Sequence, residues 1–134
     1  MAEKNLPKPT EAELDILKVL WQRGPSTVRD VHNEMNRTKE TGYTTVLKFL
    51  QIMTEKGLVE RNESERAHIY LARVPQSTTQ RQMVGDLLNR VFDGSARNLV
   101  LHALSTQKTS ADELTAIRNM LDEIEQRQGE SPEC

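Results

Sequence analysis

Hydrophobic residues recur at helical spacing between residues 43 and 56, and this stretch is central to the predicted architecture. Its apolar positions follow the i, i+3, i+4, i+7 rule for one face of an α-helix. They are Val46, Phe49, Leu50 and Met53. The residues expected on the opposite, polar face are Thr44, Lys48, Gln51 and Glu55. Gly57 follows where a helix commonly ends in a left-handed residue, so the pattern predicts a helix that ends there.

Two short β-prone runs come directly after this helix. Residues 59–61 and 68–71 flank the polar stretch 62–66, and this arrangement predicts a β-hairpin. A helix with a polar outer face followed by a charged hairpin is the layout of a winged helix-turn-helix. In that layout the helix enters the major groove of DNA and the hairpin lies along the phosphate backbone.

Two further helices are predicted before residue 43. Each begins with a capping box, at residues 10–13 and 27–30, and a Gly-Pro pair at 24–25 separates them. The apolar stripes that follow the boxes comprise Leu14, Leu17, Leu20 and Trp21 in the first helix and Val28, Val31 and Met35 in the second. Ile16 and Val19 are expected to flank the first stripe. Trp21 is interpreted as a core anchor rather than a platform for stacking a ligand.

Three more helices with wide apolar stripes are predicted after residue 75. So short a segment buries a separate core poorly. We therefore expect a helical dimerisation module that packs against a second copy; the alternative is that these helices pack against their own N-terminal unit. The predicted dimerisation residues are Met83, Leu87, Val91, Leu99, Leu101, Leu104, Leu114, Ile117 and Leu121.

The predicted fold class is mainly α with a small β-hairpin wing: a winged helix-turn-helix followed by a helical dimerisation module. The pattern predicts a flexible lead at residues 1–9 and a winged-helix DNA-binding domain at 10–75. The helical dimerisation domain is expected at 76–127, and a flexible tail at 128–134.

Charge changes this picture only moderately. The chain has a net charge of −2, which is unusual for a nucleic-acid binder. Residues 1–75 carry 12 Lys and Arg against 11 Asp and Glu, whereas residues 76–134 carry 6 against 9. The acidic excess therefore lies in the C-terminal part. Contacts with phosphate would come from a local cluster, and we expect weak non-specific binding with a moderate salt dependence.

Composition excludes several other classes of protein. No run of 18 apolar residues and no secretory signal occurs, so a cytoplasmic protein without membrane insertion is expected. Cys134 is the only cysteine, and the three histidines (32, 68 and 102) lie on different predicted elements. With no nucleophile beside a base and no Gly-rich phosphate loop, the sequence predicts no enzyme, no metal site and no cofactor.

Several motifs together resemble the penicillinase-repressor family of winged-helix transcriptional regulators. They are Glu-Ala-Glu-Leu-Asp-Ile-Leu-Lys-Val-Leu-Trp at 11–21, Tyr-Thr-Thr-Val-Leu at 43–47, Lys-Gly-Leu-Val at 56–59 and Leu-Val-Leu at 99–101. The resemblance extends from about residue 8 to 127. It implies a homodimer that represses transcription by occupying an inverted-repeat DNA operator, often upstream of β-lactam resistance genes. The alternative is a winged-helix protein-interaction module without DNA binding.

The resemblance also implies the roles of individual residues. Residues 44–56 match the recognition helix and 59–71 match the wing. The candidates for DNA contact are Tyr43, Thr44, Thr45, Lys48, Gln51, Arg61, Arg66 and His68. Alternatively, Thr44 or Thr45 caps the helix and Arg66 is a solvated loop charge. Glu55 would be repelled by phosphate and is expected away from the floor of the groove.

Regulation is the last property that the resemblance addresses. Some family members are inactivated by proteolysis at an Asn-Phe bond in the apolar helix of the dimerisation module. His102 and Ala103 occupy that position here, and a membrane sensor protease is the partner that such regulation implies. Copper-responsive relatives carry a Cys-rich C-terminal metal site, which this chain lacks.

Overall fold

The structure is a computed structural model that describes residues 7–64 and 66–130. Over these residues the chain forms six helices and one antiparallel hairpin, which confirms the predicted fold class. In chain order the elements are α1 (Glu11–Arg23), α2 (Val28–Met35), α3 (Tyr43–Lys56), β1 (Val59–Asn62), β2 (Ile69–Ala72), α4 (Gln76–Arg90), α5 (Ala96–Ser105) and α6 (Ala111–Glu130). Two compact units divide between Asp86 and Leu87.

Reciprocal capping boxes begin α1 and α2, as the sequence predicts. The Thr10 hydroxyl accepts a hydrogen bond from the Glu13 N–H, and the Glu13 carboxylate accepts one from the Thr10 N–H. Thr27 and Asp30 repeat this pair of bonds at the start of α2. Each box satisfies two of the backbone N–H groups that the first turn of a helix leaves without a partner.

The core of the N-terminal unit is built by α1, α2, α3 and the hairpin. Its largest fully buried side chains include Ile16, Leu17, Val31, Val46, Leu50, Met53, Leu58 and Tyr70. The prediction for α1 was wrong in one respect, since Ile16 and Val19 are buried rather than flanking. The reason is that α1 contacts α2 and α3 and also β2, so a wider arc of its surface is covered. Trp21 is half-buried against this core, as expected of an anchor.

The hairpin is tied to the helices at two points. Ser26, in the loop between α1 and α2, exchanges two backbone hydrogen bonds of 2.9 and 2.7 Å with Tyr70 of β2. The Trp21 indole N–H donates to the Val74 carbonyl at 2.9 Å, just after β2. These bonds fix the wing against α1 and the loop that follows it.

Gly57 separates α3 from β1. It adopts φ 87° and ψ 13°, the left-handed conformation that glycine reaches without steric cost, and it ends α3 as predicted. The Leu58 N–H then donates to the Met53 carbonyl at 2.9 Å. The chain turns at this point directly into β1, which brings the wing close to the end of α3.

The C-terminal unit contains the end of α4 together with α5 and α6. Ser95 caps α5 by accepting from the Asn98 N–H, and Ser110 accepts from the Glu113 N–H at the start of α6. No described side chain from residue 80 to residue 129 is buried. None of the helices within the two described ranges is long and apolar enough to span a membrane.

The domain limits taken from the sequence stay predictions, although the structure differs from them locally. Within the predicted lead, residues 1–6 lie outside the described residues, Pro9 is buried, and Lys8 forms an ion pair with Asp86. The predicted boundary at 75 falls one residue before α4 begins. Helix α6 continues to Glu130, and the rest of the predicted tail lies outside the described residues.

Candidate nucleic-acid interface

The outer face of α3 is polar and accessible, as the periodicity predicts. All eight predicted DNA-contacting residues are exposed: Tyr43, Thr44, Thr45, Lys48, Gln51, Arg61, Arg66 and His68. Five of them lie on α3. They are exposed because the helix turns its apolar side toward the core and leaves its polar side free. Lys48 forms no ion pair with any residue that the structure describes, so its full charge is available to an anion.

The start of α3 has no side-chain cap. Gly42 occupies the N-cap position, and the first intrahelical bond runs from the Val46 N–H to the Gly42 carbonyl at 3.1 Å. Thr44 and Thr45 lie inside the helix and do not cap it, which removes one alternative for these residues. Backbone N–H groups at such a helix start point outward and favour negative charge. The start of α3 is therefore suited to binding a phosphate group or a hydrogen-bond acceptor on the edge of a nucleotide base.

Ile52 belongs to the same surface and was missed by the sequence analysis. Its side chain is 36% exposed, although the residue is apolar. A periodicity of 3.6 residues places it one turn after Lys48 and beside Gln51, away from the buried positions. That spacing was the available signal. An exposed aliphatic group here can contact the methyl group of thymine in a major groove.

The turn between α2 and α3 is closed by the side chain of Asn36. Its amide nitrogen donates to the carbonyls of His32, at 2.7 Å, and Thr41, at 2.8 Å. Its amide oxygen accepts from the Thr41 N–H at 3.0 Å. Arg37 in the same turn is paired with Glu34 at 3.2 Å.

An aromatic contact links α2 to the first residue of α3. The rings of His32 and Tyr43 lie 5.6 Å apart between centroids, with an angle of 67° between their planes, which is an edge-to-face arrangement. Tyr43 is nevertheless 45% exposed. His32 is half-buried and packs against Tyr43.

The wing carries less free positive charge than its sequence suggests. Arg61 Nη2 lies 2.6 Å from Glu63 Oε2, so the basic residue of β1 already has an acidic partner. A hydrogen bond to the Tyr70 hydroxyl, and secondarily the negative charge of Glu63, raises the pKa of Arg61. Arg61 is therefore a fixed cation with internal partners. Arg66 and His68 are exposed near the tip of the wing.

The predicted dimerisation residues are only partly covered within the described chain. Met83, Leu87, Val91, Leu101 and Leu121 are exposed, and Leu99, Leu104, Leu114 and Ile117 are half-buried. His102 and Ala103 are exposed within α5, where the His102 ring lies 5.7 Å from that of Phe92. Proteolysis at this bond stays a prediction. Among the described residues no cluster of His, Cys, Asp or Glu could hold a metal ion.

Comparison with known proteins shows which family the chain resembles along its length. The sequence matches the penicillinase repressor family over residues 9–123. It is 24% identical over 127 residues to a penicillinase repressor of Bacillus licheniformis, covering 95% of this chain and 99% of that protein. It is 31% identical to the transcriptional regulator BlaI of Mycobacterium tuberculosis, covering 91% of this chain and 88% of the relative.

Among solved structures, one similar structure is that of the monomeric form of Bacillus licheniformis BlaI in complex with the blaP half-operator. It is 23% identical, covers 55% of this chain and 89% of that chain, and has a TM-score of 0.49. The family match itself begins just before α1 and extends into α6, so it includes the three N-terminal helices, the hairpin and the C-terminal helices in one order. With 31% identity to a curated relative over nearly its whole length, the chain belongs to the penicillinase repressor family.

Proposed function

We propose that this protein is a transcriptional repressor that binds an operator in double-stranded DNA as a homodimer. The observation that carries the proposal is that the outer face of α3 is polar and exposed, and that the start of this helix has no side-chain cap. The family consists of repressors, which confirms the prediction that the chain is not an enzyme. Binding, rather than chemistry, is the task of this surface.

The side chains of α3 suit the major groove. Gln51 can donate to and accept from one adenine, and Lys48 can reach a guanine or a phosphate. The hydroxyls of Thr44 and Thr45 can bind phosphate together with the free backbone N–H groups of the first turn. Base contacts supply the preference for a sequence, and phosphate contacts set the register of the helix on the duplex.

The wing has a smaller share of the binding energy in this proposal. Arg66 and His68 contact the DNA backbone, and Arg61 contributes less because Glu63 already compensates its charge. Few free cations mean few released counterions, so the salt dependence of binding is moderate. Affinity for random DNA is correspondingly weak.

Dimerisation through the apolar residues of α4, α5 and α6 completes the proposal. A dimer with two-fold symmetry presents two copies of α3, which read half-sites one helical turn apart, about 34–36 Å. The operator is therefore an inverted repeat. A relative is named a penicillinase repressor, so a β-lactam resistance gene is the proposed target, and the site of action is the cytoplasm.

Selection of DNA from a randomised pool by the full-length protein tests the proposal. The enriched duplex and a scrambled duplex of equal length are then titrated by fluorescence anisotropy at two salt concentrations. Replacing Lys48 with alanine is expected to weaken binding of the enriched duplex about tenfold and to lower the salt slope by about one, because one cation is removed from the interface. Lys18→Ala removes an exposed lysine from α1 and is the matched control.

The outcomes separate the alternatives. If the wild-type protein enriches no duplex, or binds with no salt slope, the protein-interaction hypothesis is favoured over the repressor. If Lys48→Ala binds as the wild type does, the contact assigned to Lys48 is wrong, although the repressor function stands.

A further inference from the structure

We propose that His32 and Asn36, which do not belong to the predicted contact set, act as positioning residues that preset the start of α3 for DNA. We call this pair the α2 clasp. The inference rests on the proposed function, since it concerns how the same surface achieves specificity. Its elements are the three hydrogen bonds of Asn36 and the ring contact of His32 with Tyr43.

The start of α3 needs an external support. Helices α1 and α2 each begin with a reciprocal capping box, whereas the N-cap residue of α3 is Gly42, which provides no side-chain cap. Glycine loses more conformational freedom on folding than any other residue. Of α1, α2 and α3, the last is therefore the one whose first turn is least supported by its own side chains, although it carries Tyr43, Thr44 and Thr45.

Asn36 supplies this support to the backbone. Both N–H groups of its carboxamide are used, one toward the His32 carbonyl and one toward the Thr41 carbonyl, and its oxygen accepts from the Thr41 N–H. The two bonds with Thr41 imitate the bonds between paired strands. Thr41 directly precedes Gly42, so fixing Thr41 fixes the direction in which the chain enters α3.

His32 supplies the corresponding support to a side chain. Its ring meets Tyr43 edge-to-face at 5.6 Å, the arrangement that aromatic pairs prefer. The contact leaves Tyr43 45% exposed, so one part of the ring is held by α2 while the rest faces solvent. The carbonyl of His32 is also an acceptor for Asn36, and the two supports therefore share one residue.

Preorganisation is what the clasp contributes. An interface that is ordered before binding loses less conformational entropy on binding, and affinity rises without any new contact. The gain applies only where Tyr43 and the first turn of α3 are used in a defined geometry. Binding to the enriched duplex therefore depends on the clasp, whereas loose electrostatic binding to scrambled DNA does not.

The experiment compares variants of the full-length protein on the enriched and the scrambled duplex. Asn36→Ala is expected to raise the Kd for the enriched duplex about tenfold, and His32→Ala about fivefold, while binding of the scrambled duplex stays unchanged. His32→Phe keeps an aromatic edge and is expected to stay within about twofold of the wild type. Asn33→Ala, at an exposed asparagine of the same helix, is the matched control.

A double-mutant cycle tests whether His32 acts through Tyr43. In a Tyr43→Ala background, His32→Ala is expected to have no further effect on the Kd, because the ring it positions is gone. Amide hydrogen exchange in the DNA-free protein gives an independent readout: the Thr41 N–H is expected to exchange faster in Asn36→Ala and unchanged in Asn33→Ala. This measurement tests whether Asn36 stabilises the backbone at Thr41, independently of any effect on DNA affinity.

Three results would overturn the inference. If the clasp variants bind the enriched duplex as the wild type does, the clasp has no role in binding, and the proposed function is unaffected. An equal loss on both duplexes would show a general folding role. A full effect of His32→Ala in the Tyr43→Ala background would show that the ring contact is not the route. A wild-type protein that enriches no duplex would instead overturn the proposed function, and with it the DNA role of the clasp.

Discussion

The two units of the chain place their apolar side chains differently. The thirteen hydrophobic residues that are buried in the described part of the chain all lie between Ile16 and Val74. In the C-terminal unit, by contrast, Val91 is 61% exposed, Leu101 55% and Leu121 53%. The N-terminal unit has a core of its own. The C-terminal helices carry the stripes that would form a core and leave much of them uncovered.

This difference indicates that the two units depend on a partner to different degrees. A unit with its own core folds by itself and can present a polar face to DNA. Exposed apolar stripes on consecutive helices are typical of a surface that another protein covers. The proposed second copy covers the C-terminal stripes, and the N-terminal unit is left free to bind. The following substitutions test each side of this comparison.

The largest expected effect is on dimerisation. Leu121→Asp is expected to raise the dimer dissociation constant at least about 100-fold, because two unpaired carboxylates would be buried in an apolar interface. Sedimentation equilibrium at micromolar concentration measures this change. Asn119→Asp introduces the same charge on the opposite side of α6 and is the control. A wild-type protein that sediments as a monomer would show that the dimer proposal is wrong.

The next effect concerns the core of the N-terminal unit. Leu50 is fully buried, so Leu50→Ala is expected to lower the free energy of unfolding by about 3 kcal/mol. Leu101→Ala, at a 55% exposed position, is expected to change the unfolding of this unit by less than about 0.5 kcal/mol. The fluorescence of Trp21, the one tryptophan, follows urea unfolding of the N-terminal unit. Equal losses in the two variants would contradict the division into a covered and an uncovered region.

A smaller effect is expected at Gly42, where the N-terminal unit leaves backbone N–H groups free for DNA. Gly42 has φ −73° and ψ 151°, which other residues adopt, and an added Cβ would lie 3.8 Å from Thr45 Oγ1. Gly42→Asp is therefore expected to stabilise the unit by a few tenths of a kcal/mol, on the order expected for a cap. It is also expected to weaken DNA binding about tenfold, because its carboxylate repels phosphate.

Gly42→Ser is the control for this substitution, since it adds a cap without a charge. Thermal unfolding and anisotropy measure the two quantities. If Gly42→Asp binds the enriched duplex at least as tightly as Gly42→Ser, the start of α3 does not face phosphate.

The smallest effect is the pH dependence of the N-terminal unit. The backbone N–H of Thr27 holds the pKa of Asp30 below its ordinary value of 3.8. The carboxylate therefore contributes its stability above pH 3.8, and this contribution is lost as the pH falls below that value toward the lowered pKa. Asp30→Asn is expected to flatten the loss of stability in that range. Asp15→Asn, on the exposed side of α1, is the control; identical acid curves for the two variants would contradict this prediction.

The parts of the fold that the sequence predicted are those that local interactions determine. The capping boxes of α1 and α2 join residues three apart, and Gly57 ends α3 by its own conformational freedom. The polar face of α3 followed from periodicity alone. In the site, the exposure of Thr44, Lys48 and Gln51 followed from the same pattern, whereas Tyr43 and Thr45 became candidates through the family resemblance.

The parts that the sequence did not predict depend on neighbours in space. Ile16 is buried because β2 and two helices surround α1, which no stripe on α1 itself shows. The pairing of Arg61 with Tyr70 depends on the register of the hairpin. The bonds of Asn36 require a particular turn conformation, for which the composition of a polar segment gives no signal. Contact with DNA and dimerisation stay predictions for the individual residues.

The pairing of Ser26 with Tyr70 has a consequence for solubility. It covers part of the outer edge of β2 in a sheet that has only two strands among the described residues. An uncovered strand edge is a template on which another chain can add a strand, and this is a common route to aggregation. With part of that edge occupied from within, another copy of the chain is less able to add a strand to the wing along β2.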